Sequence, residues 1–256
     1  MRLAIAGKGG AGKTTLSATL ARLAARTGQP VVAIDADANP NLAAALGLSP
    51  ELAATQTSVP PSLVSRKRGG TGLLRPIAEI LDQHTLTGPD GVRLLGMGAP
   101  AHAEQGCLCS AHAVVSSLLE DLGEPDPDGN ERLVIIDMEA SPEHLSRGTI
   151  RHVDAVLFVA EPYYRNLETV RRMNNLVAEL PVPHVTVVAN KIRTPADLTA
   201  ITEFCDRHHL HLSGDVPYSD TVINADRNRT PLIDTPDGQP VVTAIDKLRI
   251  SLQELR

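Results

Sequence analysis

Between Gly7 and Thr14 the chain reads GKGGAGKT, a spacing of small residues and cations suited to holding phosphate. The pattern is Gly, four residues, then Gly-Lys-Thr. It falls between an apolar run, LAIAG at 3–7, and a segment of helical periodicity, which is the setting such a loop requires. Gly7, Gly9, Gly10 and Gly12, with Ala11 among them, let backbone N–H groups wrap phosphate oxygens. The helix that follows points the positive end of its dipole at them. Lys13 is expected to reach the β- and γ-phosphates, and the Thr14 hydroxyl to ligate Mg²⁺, with Thr15 beside it at the helix start. A carboxylate for the same cation is offered by LVIIDMEA, where Asp137 stands at the tip of a buried strand, the end at which α/β sheets bind ligands. VVAIDADANPN puts Asp35 and Asp37 in an equivalent place. For Asp35 and Asp137 the plainer role is a helix cap or a turn residue.

A second chemistry is suggested by GCLCSAH, in which Cys107 and Cys109 are one residue apart. Ser110 is a plausible N-cap for a helix carrying Val114, Val115, Leu118, Leu119 and Leu122, and a cysteine at a helix N-terminus has a stabilised thiolate, the form that binds metal. In an extended segment residues i and i+2 face one side, so both sulfurs can be presented together. A disulfide between them would close a very small, strained ring. Two thiolates are half of a coordination shell, and a two-fold dimer would supply the rest by symmetry. Four sulfurs in a tetrahedron suit Zn²⁺ or an Fe–S unit, and a planar set suits Ni²⁺. A one-chain site from His102, Cys107, Cys109 and His112 is the alternative, and an unliganded pair of ordinary thiols is the simplest. Cys205 reads as a small buried hydrophobe.

These residues are spread along a chain of alternating short apolar runs and helical patterns. The runs are 3–7, 31–35, 92–97, 133–137, 155–161, 185–190 and, more weakly, 211–216; helical segments include 14–27, 111–122, 166–180 and 195–209. Continuous apolar strands are buried on both faces, so the expected fold is α/β, a doubly wound and mostly parallel sheet flanked by helices. We read 1–256 as one domain with a variable stretch at 49–91, expected to form loops and short helices. Its basic triplet Arg66, Lys67, Arg68 reads as solvated surface. A terminal stripe, Val241, Ile245, Leu248, Leu252 and Leu255, reads as a helix docked on the sheet. Its charges nearly cancel, so it lacks the basic face of a membrane anchor.

Composition narrows the function classes. A hydrophobic fraction of 42% with 2% aromatics and no Trp calls for a core of Ala, Val, Leu and Ile. The net charge of −6 argues against non-specific nucleic-acid binding. No apolar run approaches the roughly 18 residues of a membrane span, and the N-terminus lacks the pattern of a signal peptide. Three cysteines form no disulfide framework and suit a reducing compartment, so the cytoplasm is the expected address.

With Lys8 inside the loop, as KGGAGK, the sequence resembles the deviant Walker A class of P-loop ATPases. That class includes the cell-division ATPase MinD, the tail-anchored-protein targeting ATPase, the nitrogenase iron protein and metallocluster-assembly ATPases. The resemblance implies that Lys8 reaches across a homodimer to the partner's nucleotide, that Asp35 and Asp37 belong to the first switch with Asp37 orienting the attacking water, and that Asp137 is the Walker B carboxylate. The run VVANKIR, with Asn190 and Lys191, reads as the nucleotide-binding stretch that addresses the base, and the resemblance implies that Asn190 contacts it, with the loop around Pro217 closing its pocket. A GTPase would place Asp after Asn-Lys-x; here Arg193 has no acceptor for guanine, so ATP and ADP are favoured.

The runs GPDGVRLLGMG, GCLCSAHAVVSSLL, IIDMEASPEHLSRGT and VDAVLFVAEPYYRNLETVRR resemble, more narrowly, the nickel-insertion accessory ATPases of carbon monoxide dehydrogenase. In that family a Cys-x-Cys pair binds metal at the dimer interface, which implies a shared Ni²⁺ or Zn²⁺ site at Cys107 and Cys109 and a client metalloenzyme. Glu143 to Thr149 would be the second switch. Where the family has Gly after the alanine of that switch, this chain has Ser141-Pro142, and Pro removes an N–H. The competing expectations are an Fe–S cluster carrier and a MinD-like positioning ATPase.

Overall fold

The structure is a computed structural model and describes residues 1–67, 70–97, 109–126, 128–140 and 150–255. In chain order the elements are β1 (Arg2–Gly7), α1 (Lys13–Arg26), β2 (Val31–Ala36), α2 (Leu42–Leu46), α3 (Pro50–Ala53), β3 (Val64–Lys67) and β4 (Gly70–Leu73). Next come α4 (Ile77–His84), β5 (Thr85–Thr87), β6 (Arg93–Gly96), α5 (Cys109–Asp121), β7 (Leu133–Met138), β8 (Ala155–Ala160) and α6 (Tyr164–Val177). The chain closes with β9 (His184–Ile192), α7 (Pro195–His208), β10 (His211–Pro217), α8 (Asp220–Arg227) and α9 (Gln239–Gln253).

Among the described residues eight strands form one sheet in the order β10-β9-β8-β1-β7-β2-β6-β5. Every neighbouring pair is parallel except β5–β6 at the edge. The seven strands expected from apolar runs are all present, because buried parallel strands write themselves as unbroken apolar stretches. β2, β7 and β8 are buried at every residue. Alternate residues feed two cores: Ala4, Ile34, Ile136 and Phe158 pack with α5, α6 and α7, while Leu3, Ile5, Ala33 and Leu157 pack with α1 and α9. The expected stripe on α5 is buried, and so are Val241, Ile245, Leu248 and Leu252 of α9. Cys205 on α7 is buried too, and that burial pushes its thiol up to about 11.

The stretch 49–91 departs from expectation. Besides α3 and α4 it contains an antiparallel hairpin, with Val64 opposite Leu73 and Lys67 opposite Gly70, and the edge strand β5. VSRK and GTGL carry no two-residue apolar alternation, and TLT is too short to show a period. These strands are held by their pairing partners, and Val64, Leu73 and Leu86 pack, partly buried, against the cores.

β7 lies between β1 and β2, while β8, β9 and β10 extend the sheet on the other side of β1. The C-terminal end of β1 therefore lies where the winding reverses, the crevice in which open α/β sheets place ligands.

Candidate nucleotide site

The loop leaving β1 is shaped by two glycines in left-handed conformations, Gly10 at φ 80° and Gly12 at φ 99°. Gly12 caps α1 with its backbone, and no side chain takes that role. A Cβ on Gly12 would sit 2.5 Å from Nδ2 of Asn190, whereas one on Gly10 would meet nothing within 4 Å. Only Gly fits position 12 on both counts. Lys8 is exposed, and its carbonyl accepts from the Ala11 N–H at 3.1 Å.

Lys13 starts α1 and is buried, 7% exposed. Burial lowers the pKa of its ammonium, and Asp137, Asp37 and Glu139 work in the opposite sense. The register that pairs Asp35 with Asp137 across β2 and β7 brings the two carboxylates to the same sheet edge. Thr14 Oγ1 donates to Asp137 Oδ2 at 2.7 Å, and Ser17 Oγ donates to Oδ1 at 3.0 Å. Burial raises the Asp137 carboxyl to about 6 against those two hydrogen bonds. Asp35 is raised to about 7, again chiefly by burial. Its oxygens accept from the backbone N–H groups of Leu42, at 2.9 Å, and Asp37, at 3.2 Å, so it organises the turn that presents Asp37. Asp37 in turn accepts from Asn39 N–H at 2.8 Å. Three carboxylates, those of Asp137, Asp37 and Glu139, thus act on the Lys13 ammonium, an excess of negative charge that a divalent cation would offset. The hydroxyl and carboxylate oxygens at Thr14 and Asp137 are the hard donors that Mg²⁺ selects.

Beside the loop a cleft is lined by Gly12, Thr15, Asn190, Pro217, Tyr218 and Ile223. Its walls are mostly apolar with a few polar groups, as a nucleobase slot requires. Asn190 Nδ2 donates to the Ala11 carbonyl at 2.6 Å. Lys191 also lines the cleft, but its ammonium donates to the Gly10 carbonyl at 2.5 Å and pairs with Glu161 Oε1 at 2.9 Å. Arg193 stacks on the Tyr218 ring, 3.4 Å from its centroid, and Tyr218 Oη donates to Asp220 at 2.7 Å.

The loop, Asp35, Asp37, Asp137, Asn190, Lys191 and Pro217 therefore gather at one end of the sheet. Three participants escaped the sequence reading. Ser17 was findable, since i and i+3 share a helix face with Thr14. Glu161 and Tyr218 left no local signal, because their roles depend on contacts between distant segments. Cys107, His102, Ser141, Pro142 and the expected second switch lie outside the described residues, and so do the side chains of Cys109 and His112. Among the described residues no three His, Cys, Asp or Glu side chains gather as a metal ion would need, and no helix is long and apolar enough to cross a membrane.

Residues 3–232 match the model of the CobQ/CobB/MinD/ParA nucleotide binding domain. The chain belongs to this family. It is a P-loop ATPase, with ATP or ADP and Mg²⁺ as its ligands. It is 35% identical over 235 residues, 89% of this chain and 87% of the other, to the carbon monoxide dehydrogenase accessory protein CooC of Rhodospirillum rubrum. An uncharacterized ATP-binding protein of Methanocaldococcus jannaschii is 32% identical over 231 residues, 88% of each chain. In fold the chain is similar to the septum site-determining protein MinD of Pyrococcus horikoshii complexed with Mg-ADP. The TM-score is 0.74 at 16% identity, with 99% of this chain and 96% of that one covered.

Proposed function

We propose that this ATPase is a nickel-insertion accessory protein for carbon monoxide dehydrogenase or a similar metalloenzyme. In this reading it is one domain, dimerises with nucleotide and holds a cargo metal ion between Cys107 and Cys109 of both subunits. The observation that carries the reading is the 35% identity to CooC along nine-tenths of the chain, joined to a Cys-x-Cys pair in the sequence whose second cysteine, Cys109, begins α5. Nickel is the favoured cargo and zinc the competing one. The thiols suit a reducing cytoplasm.

In this scheme the backbone N–H groups of residues 9–13 and the Lys13 ammonium hold the β- and γ-phosphates. Thr14 and Asp137 hold Mg²⁺, which neutralises charge on the phosphoryl oxygens. Asp35 fixes the turn, and Asp37 orients the water that attacks the γ-phosphate. Lys8, exposed on the loop, reaches the nucleotide of the second subunit, so that ATP joins the two copies. Adenine occupies the cleft by Asn190, Thr15 and Pro217. Turnover is slow, and the useful product is the change in subunit arrangement that alters the shared cysteine site.

Light scattering with and without Mg-ATP tests the dimer half of this reading. Wild type should double in mass with nucleotide, and Lys8→Ala should stay monomeric while still binding ATP. Wild-type dimerisation by Lys8→Ala would remove Lys8 from that role.

A further inference from the structure

An anion-binding loop must aim its N–H groups inward, so its carbonyls face outward and need donors of their own. In this protein two successive loop carbonyls are taken by two successive residues of β9: Gly10 by the Lys191 ammonium and Ala11 by the Asn190 amide. Lys191 does so with φ at 59°, a conformation uncommon for any residue but Gly and retained only where the surroundings dictate it. The ammonium is fixed from its far side. Glu161 Oε1 pairs with it at 2.9 Å, and Glu161 Oε2 accepts from Asn166 Nδ2 at 3.1 Å. Asn166 Oδ1 accepts from the Glu161 backbone N–H at 3.0 Å, and Asn166 is only 1% exposed. The chain of contacts therefore runs from the rigid first turn of α6, through the end of β8, to the tip of β9 and the loop.

We propose that Lys191 is a positioning residue for the phosphate loop, oriented by Glu161 and Asn166, and that it serves phosphate binding and not base recognition. This rests on residues 7–14 being the phosphate loop. With Lys191 in place the Gly10 carbonyl is turned away from the phosphates and the neighbouring N–H groups stay converged on them. Without it the Gly10–Ala11 peptide is held only through the Ala11 N–H bond to the Lys8 carbonyl, at 3.1 Å, and a carbonyl oxygen turned inward repels the anion. Glu161 contributes through Lys191 alone, by holding the ammonium at the carbonyl.

The test is displacement of a fluorescent ADP by two probes, inorganic tripolyphosphate with Mg²⁺, which has no base, and adenosine, which has no phosphate. Lys191→Met should weaken tripolyphosphate by about tenfold, which is the loss of about 1.4 kcal/mol, and leave adenosine within about twofold. Glu161→Gln keeps the shape and its place beside Asn166; it should weaken tripolyphosphate by a smaller factor, and the double variant should be no weaker than Lys191→Met. Selective loss of adenosine binding would overturn the proposal in favour of a base contact. Multiplying effects in the double variant would overturn the Glu161 link, and unchanged tripolyphosphate affinity in a folded Lys191→Met would overturn it altogether. Lys13→Ala serves as reference. If it binds tripolyphosphate like wild type, the assignment of the phosphate loop itself fails and the proposal falls with it, an outcome distinct from the others.

Discussion

Replacing Gly12 by Ala should be more damaging than the same methyl addition at Gly10, and its cost can be worked from two geometric facts. The left-handed φ of 99° makes any Cβ unfavourable by about 1–2 kcal/mol. The new methyl would also sit 2.5 Å from Asn190 Nδ2, closer than van der Waals contact allows. Either the loop or the amide must move, and the buried bond from Nδ2 to the Ala11 carbonyl at 2.6 Å is lost or bent. Disrupting a buried hydrogen bond costs about 1–3 kcal/mol, so the total is about 2–5 kcal/mol. Gly10→Ala is the internal control, since its φ of 80° is equally left-handed but a Cβ there meets nothing within 4 Å. It should cost only the backbone share, about 1–2 kcal/mol. Urea unfolding of the nucleotide-free protein measures both. The excess of Gly12→Ala over Gly10→Ala should shrink when Asn190 is first changed to Ala, because the clashing group is then gone. Equal losses in the two glycine variants, or an excess untouched by Asn190→Ala, would refute the reasoning.

Stability should also depend on pH in a defined sense. Asp35 and Asp137 have carboxyls raised to about 7 and about 6, above the ordinary carboxylate value, so the folded state binds protons that the unfolded state has released. Their contribution is fully present at acid pH and is lost as pH rises through that window. Carboxyls that are lowered, such as Asp154 beside Arg2 and Asp90 beside Arg22, titrate below it. The urea midpoint of nucleotide-free protein should therefore fall between about pH 5 and about pH 8, and fall less in Asp35→Asn; a rise in the wild type would contradict the burial argument. Asp37→Asn should lower kcat by about 10²-fold, the usual weight of a group that activates water, with nucleotide affinity nearly unchanged. Steady-state turnover beside ADP titration reads both, and unchanged kcat would exclude Asp37 from the reaction.

Much of this was legible in the chain because the structure needs little beyond local pattern to produce it. Strands such as VVAID and LVIID are apolar throughout since helices cover both faces of the sheet, and the phosphate loop is one unbroken motif between two of them. Asp35 and Asp137 were legible as strand-end carboxylates, although Asp35 spends its oxygens on the Leu42 and Asp37 amides. The hairpin of β3 and β4 was not legible, because Gly and polar residues hide a strand that is held by pairing. Nor was the engagement of Asn190 and Lys191 with the loop carbonyls, since it joins positions about 180 residues apart. A nucleotide-site dipeptide reads alike whether it faces the base or the loop, and only the folded geometry separates the two.

The central claim is a metal ion shared by two subunits, and an anaerobic titration of the reduced protein tests it most directly. Ni²⁺ and Zn²⁺ would be added with and without ADP or a non-hydrolysable ATP analogue, following bound metal and molecular mass together, with Cys107→Ser/Cys109→Ser as control. The account predicts one metal ion per dimer, lost in the control, with sulfur-to-nickel charge-transfer bands in the nickel sample. One metal ion per monomer, or no tight binding of either ion, would contradict it.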